Sequence, residues 1–428
     1  MASVPPSNRP RAGLLRNLSS AVPELLLYYL VVAFYFFALG MQFVLFPSLV
    51  AFFLTATPQG LGLAQSALSG PMFCFLLLGG LVAERAAAGA TLARLYVAFA
   101  VATLLLAAAV AGGVISYPML IAYAVAVGTL AAFMMPIRDA ALNGIIAREA
   151  ERGRHTSIAT AATITTAVQI GAQIAGILAA RFAGNAPASF IVVQGIALAL
   201  GGIASLGLRT PKPRGHERTL AGVLNDLAAG LSYAFRNPVM SPMIMSAAYV
   251  GVFIIGSLQV LFPLVVRDEY GGNAQAQANR LGLLLACFWS ASFVSAVVLS
   301  RLKPLGRPGR AMIVSHLVGA CALGSFAFHK PFPLFVAIVA AWGLAAGVAI
   351  SVSRSITQGA SDQRYLGRVL AVYSMGFMGG APLGSLAAGF AAQEWGSRTA
   401  ALIPSLGLAL AAVALAALTP LWRYRAGV

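Results

Sequence analysis

Long apolar runs alternate with short polar breaks along the whole chain. About 20 apolar residues suffice to cross a hydrocarbon core, and the run from Leu25 to Leu54 exceeds that. It is far longer than the apolar core of a signal peptide and lacks a small-residue cleavage site, so it is expected to stay as an uncleaved first span. Reading each run against its break predicts twelve spans, near 26–54, 60–84, 92–115, 117–139, 157–182, 187–208, 240–266, 279–300, 311–328, 332–354, 367–391 and 399–421. The breaks after spans 1, 3 and 9 are short enough to make helical hairpins. One long polar connection, 209–239, falls near the midpoint and divides the chain into 1–208, 209–239 and 240–428. Within it Leu220, Leu224, Leu227, Leu231 and Phe235 recur at helical spacing beside Arg214, Arg218 and Arg236, which predicts an amphipathic helix on the cytoplasmic membrane face. The fold class is therefore an all-α polytopic membrane protein of twelve transmembrane helices.

Composition agrees and removes other classes. Of 428 residues 60% are hydrophobic and 9% charged, against about 25% charged in a soluble domain. The net charge of +17, from 28 Lys+Arg and 11 Asp+Glu, would suggest nucleic acid if it lay in a patch on a soluble domain. Instead the cations fill the breaks, 23 of the 28 on the side of the N-terminus. The positive-inside rule makes that side cytoplasmic and requires an even number of spans. Cys74, Cys287 and Cys321 each sit in an apolar run and make no disulfide or metal pattern, and the four histidines are scattered. No GxSxG, HExxH or GxxxxGK[ST] sequence occurs. No metal, cofactor or nucleic-acid partner is expected, and a membrane-embedded enzyme is the weakest reading.

The second half repeats the first. An offset of 216 superposes Gly40 on Gly256, Val44-Leu45-Phe46-Pro47 on Val260-Leu261-Phe262-Pro263, Arg85 on Arg301, Arg94 on Arg310 and Arg138 on Arg354. Spans 5 and 11 match at 213, with Gly171 on Gly384 and Gly176 on Gly389. Two six-helix halves in the same orientation form a parallel repeat, which places a substrate site between them near the midplane. The paired Phe-Pro steps are expected to kink spans 1 and 7 along the outer vestibule.

Four stretches carry a family likeness: Gly79-Gly80-Leu81-Val82-Ala83-Glu84-Arg85, Pro136-Ile137-Arg138-Asp139-Ala140-Ala141-Leu142, Ala229 to Pro238, and Leu366-Gly367-Arg368-Val369 leading to Ala381-Pro382-Leu383-Gly384. In that order and topology the chain resembles the major facilitator superfamily, and within it the bacterial drug and siderophore exporter branch that includes the enterobactin exporter. The resemblance implies a multi-pass transporter of the bacterial cytoplasmic (inner) membrane with both termini cytoplasmic. It implies a single chain as the working unit, alternating access, a small amphipathic or siderophore-like cargo moved outward, and protons as the coupling ion. An importer or lipid flippase of the same fold is the alternative. Ala172 stands where exporters of the superfamily often carry proline, while Pro382 and Gly384 keep that pattern.

The resemblance also implies a cytoplasmic gate of Gly80, Glu84, Arg85, Arg94 and Asp139, with Arg301 and Arg310 as counterparts in the second half. Glu84 is expected to cap span 11, a contact worth about 0.3–1 kcal/mol, and Asp139 to pair with Arg85 or Arg94. Glu replaces the usual Asp, and Ala86-Ala87-Ala88-Gly89 replaces the expected basic and glycine positions. The plainer alternative is a set of positive-inside anchors. Arg138 and Arg354, each ending the fourth span of its half, could attract an anion, but their place near the cytoplasmic face favours the anchor reading. Thr166, Gln169 and Gln173 share one face of span 5. Amides facing lipid would be costly, so these, with Tyr35, Gln42, Gln259 and Trp289, are the cavity candidates, divided evenly between substrate contact and interhelical packing. Spans 3, 6, 9 and 12, rich in Ala, Leu, Val and Gly, are expected at the periphery. No carboxylate lies deep in a span, which leaves Glu24 and Asp139 as the coupling candidates.

Overall fold

The computed structural model describes residues 24–85, 87–151, 158–182, 186–208, 220–302, 305–362 and 366–425. The N-terminal arginines, the 209–219 stretch with Arg214 and Arg218, and the side chains of Glu84, Arg85 and Leu224 lie outside the described residues. Helices dominate, and no strand occurs among the described residues. The first half holds α1 (Glu24–Ser48, continued by a π-helical turn Leu49–Phe53), α2 (Pro58–Arg85), α3 (Ala88–Ala111), α4 (Tyr117–Glu151), α5 (Ile158–Ala180) and α6 (Pro187–Leu206). Helix α7 (Leu220–Arg236) follows. The second half holds α8 (Met240–Tyr270, with a π-helical stretch Gly251–Gly256), α9 (Ala274–Arg301), α10 (Pro308–Gly324), α11 (Phe332–Gly359), α12 (Leu366–Ala400) and α13 (Leu402–Leu418).

Ten of these helices are each long and apolar enough to cross a membrane. With the 28-residue α2 and the 17-residue α13 they make the twelve helices of the major facilitator fold, two six-helix parallel repeats. Three spans run further than their hydropathy indicated. Helix α4 continues to Glu151 rather than ending at 139, α11 to Gly359 rather than 354, and α12 past 391 to a break at Gly396 before its last turn ends at Ala400. Polar residues can extend a helix beyond hydrocarbon, where water takes the place of lipid, so loss of hydropathy marks the membrane boundary and not the helix end.

Within each half, glycines let backbones cross at contact distance, the device by which membrane helices associate without a hydrophobic driving force. A Cβ on Gly40 would lie 2.1 Å from the Gln173 carbonyl oxygen, and one on Gly176 2.0 Å from that of Phe37, so α1 and α5 touch backbone to backbone. The second half repeats this between α8 and α12, where a Cβ on Gly256 would lie 2.4 Å from Ala381 O and one on Gly384 2.0 Å from Val252 O. In space Gly176 therefore takes the place of Gly384. That corrects the pairing of Gly171 with Gly384 by five residues, and Gly171 has nothing within 4 Å of its Cβ position.

Phe46 and Phe262 are 1% and 0% exposed. Phe46 packs on Tyr123, and Phe262 on Phe326, Phe335 and Trp342. The Phe-Pro steps thus belong to the two cores and do not line a vestibule. As expected, α3, α6, α10 and α13 turn apolar side chains outward, Leu105, Ile203, Val314 and Leu410 among them. Helix α7 buries Gly230 against Arg368 and Ala234 in a cluster with Met240, Ile244, Val369 and Val372, while Leu231 and Phe235 stay exposed.

Candidate functional site

The two halves meet along one seam, in the part of the helices remote from the chain termini. There α2 lies against α12: a Cβ on Gly62 would lie 2.7 Å from Ser385 O and 2.9 Å from Gly389 Cα, and Ser66 donates to Pro382 O at 2.7 Å. Gln65 Nε2 donates to Gln259 O at 3.2 Å, and Phe43 stacks on Trp289 at 6.3 Å between centroids. The repeat-related contact joins α5 to α9, where Arg181 fills the space beside Gly282. Arg267, at the end of α8, donates through Nη1 to Ala56 O at 3.0 Å and through Nε to Asp268 at 2.9 Å.

Gly396 has a φ of 78°, which only glycine adopts without strain, and the break it makes in α12 brings Ser397 to Asp268 at 2.7 Å and Arg398 to Glu269. His329 Nδ1 lies 2.8 Å from the same Glu269 carboxylate. Nearby, in the connection between α10 and α11, Lys330 donates to Phe328 O at 2.8 Å, and burial lowers its ammonium below the usual 10.5. The glycine crossing of the seam nearest the termini is that of Gly379 with Phe73, and α2 also meets the linker helix α7, which packs on α12. Gly80, Gly144 and Gly359, all on that side, have nothing within 4 Å of their Cβ positions.

The cavity candidates scatter. Gln259 and Trp289 are at the seam, and Gln259 Oε1 is buried without a hydrogen-bond partner among the described residues. Gln173 is buried at the α1–α5 crossing. Thr166 and Gln169 are partly exposed, and Thr166 returns its hydroxyl hydrogen to Ala162 O at 3.0 Å. Gln42 belongs to the interior of the first half. Its Oε1 accepts from Tyr123 at 2.9 Å and from Gln194 Nε2 at 2.6 Å, and Gln194 also donates to Ala38 O at 3.2 Å. Those partners sit on α4 and α6, so Gln42 fastens three helices within the first half. Tyr35 is 6% exposed and faces Arg138, not the seam.

Of the gate residues, those whose side chains are described are likewise not gathered into one cluster. Asp139 pairs with its neighbour Arg138, Nη2 to Oδ1 at 3.3 Å, rather than with Arg94, which is exposed on α3. Arg301 is exposed, while Arg310 donates to Trp422 O at 3.0 Å with its guanidinium over the Trp422 ring. Of the coupling candidates, Glu24 is 6% exposed and held by Arg148 at 2.7 Å, tying the start of α1 to the end of α4. Asp139 is 61% exposed.

Arg138 is the residue that sequence reading underrated. It is 5% exposed, with its guanidinium 5.0 Å from the Phe36 ring centroid and 6.0 Å from that of Tyr35. Each such contact is worth about 0.5–2 kcal/mol, far less than the several kcal/mol it costs to desolvate an ion. A single exposed carboxylate at 3.3 Å does not close that gap. Its Nε is buried without a partner among the described residues, and the buried Tyr28 lies in the same surround. Tyr96 meets Tyr35 edge to face and donates to Val31 O at 2.6 Å. No group of three or more His, Cys, Asp or Glu side chains that could hold a metal ion occurs among the described residues.

Comparison with known proteins accounts for this arrangement at the level of family. The family described as transmembrane secretion effector matches residues 41–425. The enterobactin exporter EntS of Escherichia coli O139:H28 (strain E24377A / ETEC) is 27% identical over 161 residues, 37% of this chain and 35% of that protein. The EntS of Escherichia fergusonii gives the same figures, so the match spans about a third of these relatives' length. Among solved structures, the nucleoside transporter NupG superposes with a TM-score of 0.74 at 14% identity, covering 94% of this chain and all of that one. A bacterial homolog of the human lysosomal transporter Spinster, in an inward-facing and unoccupied conformation, gives 0.65 at 13% identity over 97% of both chains. A twelve-helix repeat with a seam at one end, matched over nearly its whole length by one family, places the chain in the transmembrane secretion effector family of major facilitator transporters.

Proposed function

We propose that this chain is a secondary active exporter that carries small amphipathic or siderophore-like compounds out of the cytoplasm by alternating access across a bacterial inner membrane. The observation that carries the reading is the seam: the glycine crossings and hydrogen bonds that join the two six-helix halves directly, from Arg267–Ala56 through Gln65–Gln259 and Ser66–Pro382 to Gly379–Phe73, lie toward the face remote from the termini, while toward the termini α2 meets the linker helix α7, which packs on α12. The excess of cations on the terminus side supports a cytoplasmic position for that side, and the seam then closes the outer face of an inward-open carrier. The partial likeness to EntS supports outward movement of cargo. The Phe43–Trp289 stack and the unmatched Gln259 amide oxygen at the seam favour a solute with both apolar and hydrogen-bonding surface. Asp139, exposed and lightly held, is a better proton carrier than Glu24, which Arg148 holds. The chain works as a monomer in this reading, since one seam joins both halves of a single cavity.

Inverted vesicles energised with a proton gradient test it. Accumulation of a panel compound in inverted vesicles, abolished by an uncoupler, is the expected result. Accumulation only in right-side-out vesicles identifies an importer, and movement of labelled phospholipid between leaflets identifies a flippase.

A further inference from the structure

We propose that Arg138, with Tyr28, Tyr35 and Phe36 around it, is the recognition site for an anionic group on the transported solute. The proposal deepens the transport reading and rests on it. An arginine fork suits a planar carboxylate or phenolate held by two parallel hydrogen bonds. Here one limb, Nη2, meets Asp139 at 3.3 Å, and Nε is buried with no partner among the described residues. The hydroxyl of Tyr28, fully buried, belongs to the same surround, beside Thr165.

The two internal groups on either side of the fork differ in how firmly they hold it. The rings of Phe36 and Tyr35 are fixed by packing, whereas Asp139 is 61% exposed and stands at the open edge. An incoming anion can therefore displace the Asp139 carboxylate without disturbing the bundle.

The repeat supplies an independent argument. Arg354 occupies the position equivalent to Arg138 at an offset of 216, and it is exposed. At the same offset Tyr28, Tyr35, Phe36 and Tyr96 correspond to Ile244, Gly251, Val252 and Met312. The second half folds into the same six-helix arrangement with non-aromatic residues at those four positions and, among the described residues, no buried guanidinium, so the fold does not require one. Position agrees as well. Arg138 lies 21 residues into α4, which at 1.5 Å per residue is about 32 Å from its far end. A hydrocarbon core is about 30 Å thick. The fork thus sits at the boundary on the terminus side, where an amphipathic anion keeps its charged group in water and its apolar part in the cavity.

The test uses the purified full chain in detergent with two probes of equal shape, naphthalene-2-carboxylate and naphthalene-2-carboxamide, read by calorimetry. The acid is expected to bind about tenfold tighter than the amide, the scale of one charge-assisted hydrogen bond. Arg138→Gln removes the preference, so that acid and amide bind with equal affinity. Asp139→Asn, which frees the fork while keeping the bundle intact, strengthens acid binding and not amide binding. Because Arg138→Gln can fail to fold, Asp139→Asn and Phe36→Leu carry the test without it, and Phe36→Leu is expected to weaken the acid selectively. Equal binding of acid and amide by the wild-type chain, no binding of the acid, or a preference that survives Arg138→Gln overturns the proposal. Failure of the transport reading would appear separately, as no movement of either probe in proteoliposomes.

Discussion

Gln42→Leu separates packing from substrate contact at a position where sequence alone left both open. The replacement keeps the approximate volume of the side chain and removes the acceptor shared by Tyr123 at 2.9 Å and Gln194 at 2.6 Å. Side-chain hydrogen bonds between membrane helices average about 0.6 kcal/mol and reach about 1.7. Two of them give roughly 1.2 kcal/mol, rising toward 3 because both donors stay buried, Tyr123 keeping only a 3.5 Å contact with Thr103 and Gln194 its bond to Ala38 O. Unfolding in bicelles followed by steric trapping measures the loss directly. The expected result is a destabilisation of about 1–3 kcal/mol with KM for a transported compound within about twofold of wild type. Unchanged stability with a KM raised about tenfold, equivalent to 1.4 kcal/mol of binding, would return Gln42 to the cavity and refute the packing assignment.

Other expectations follow from single contacts. Gly176→Leu and Gly384→Leu, each placing a Cβ 2.0 Å from a carbonyl oxygen, should lower stability by about 3 kcal/mol or more in thermal melts, while Gly171→Leu, in open space, should be neutral. Arg267→Ala removes the donor to Ala56 O, worth about 1 kcal/mol or a fivefold shift toward an open outer face. It should speed impermeant-maleimide labelling of a cysteine at Gln259 from that face. Lys330 has a folded-state pKa lowered by burial, so the unfolded chain binds its proton more tightly. Stability should therefore rise with pH as it approaches 10.5, and Lys330→Met should flatten that rise in melts taken along an alkaline series.

Span number, hairpin pairs and the peripheral helices were legible in the chain because each depends on the length and polarity of a run, which sequence states directly. Azimuth was not. Helix α1 is apolar almost all round, so nothing in its own residues says whether Gln42 points at α6 or at the second half; Gln194, 152 residues away, decides it. Arg138 was misjudged for a different reason. Hydropathy ends span 4 at 139, which makes the arginine look terminal, whereas the helix runs on to Glu151 and Arg138 lies inside it. The aromatic residues that enclose it are split between α1 and α3 and show no shared period. The gate grouping drawn from resemblance set Asp139 against Arg85 or Arg94; among the described side chains its partner is the adjacent Arg138 on its own helix.

The account turns on which face of the molecule closes and opens. Double electron–electron resonance on two label pairs in lipid nanodiscs measures this. One pair, on Thr57 and Asp268, spans the seam, and the other, on Ala147 and Gln358, spans the terminus side between α4 and α11. The expected result is a short distance at the seam and a long one at the terminus side in the resting protein. Under a proton gradient with a transported compound, a second population with both distances reversed should appear. Distances that stay fixed under every condition, or that lengthen and shorten together at both faces, would contradict alternating access about this seam.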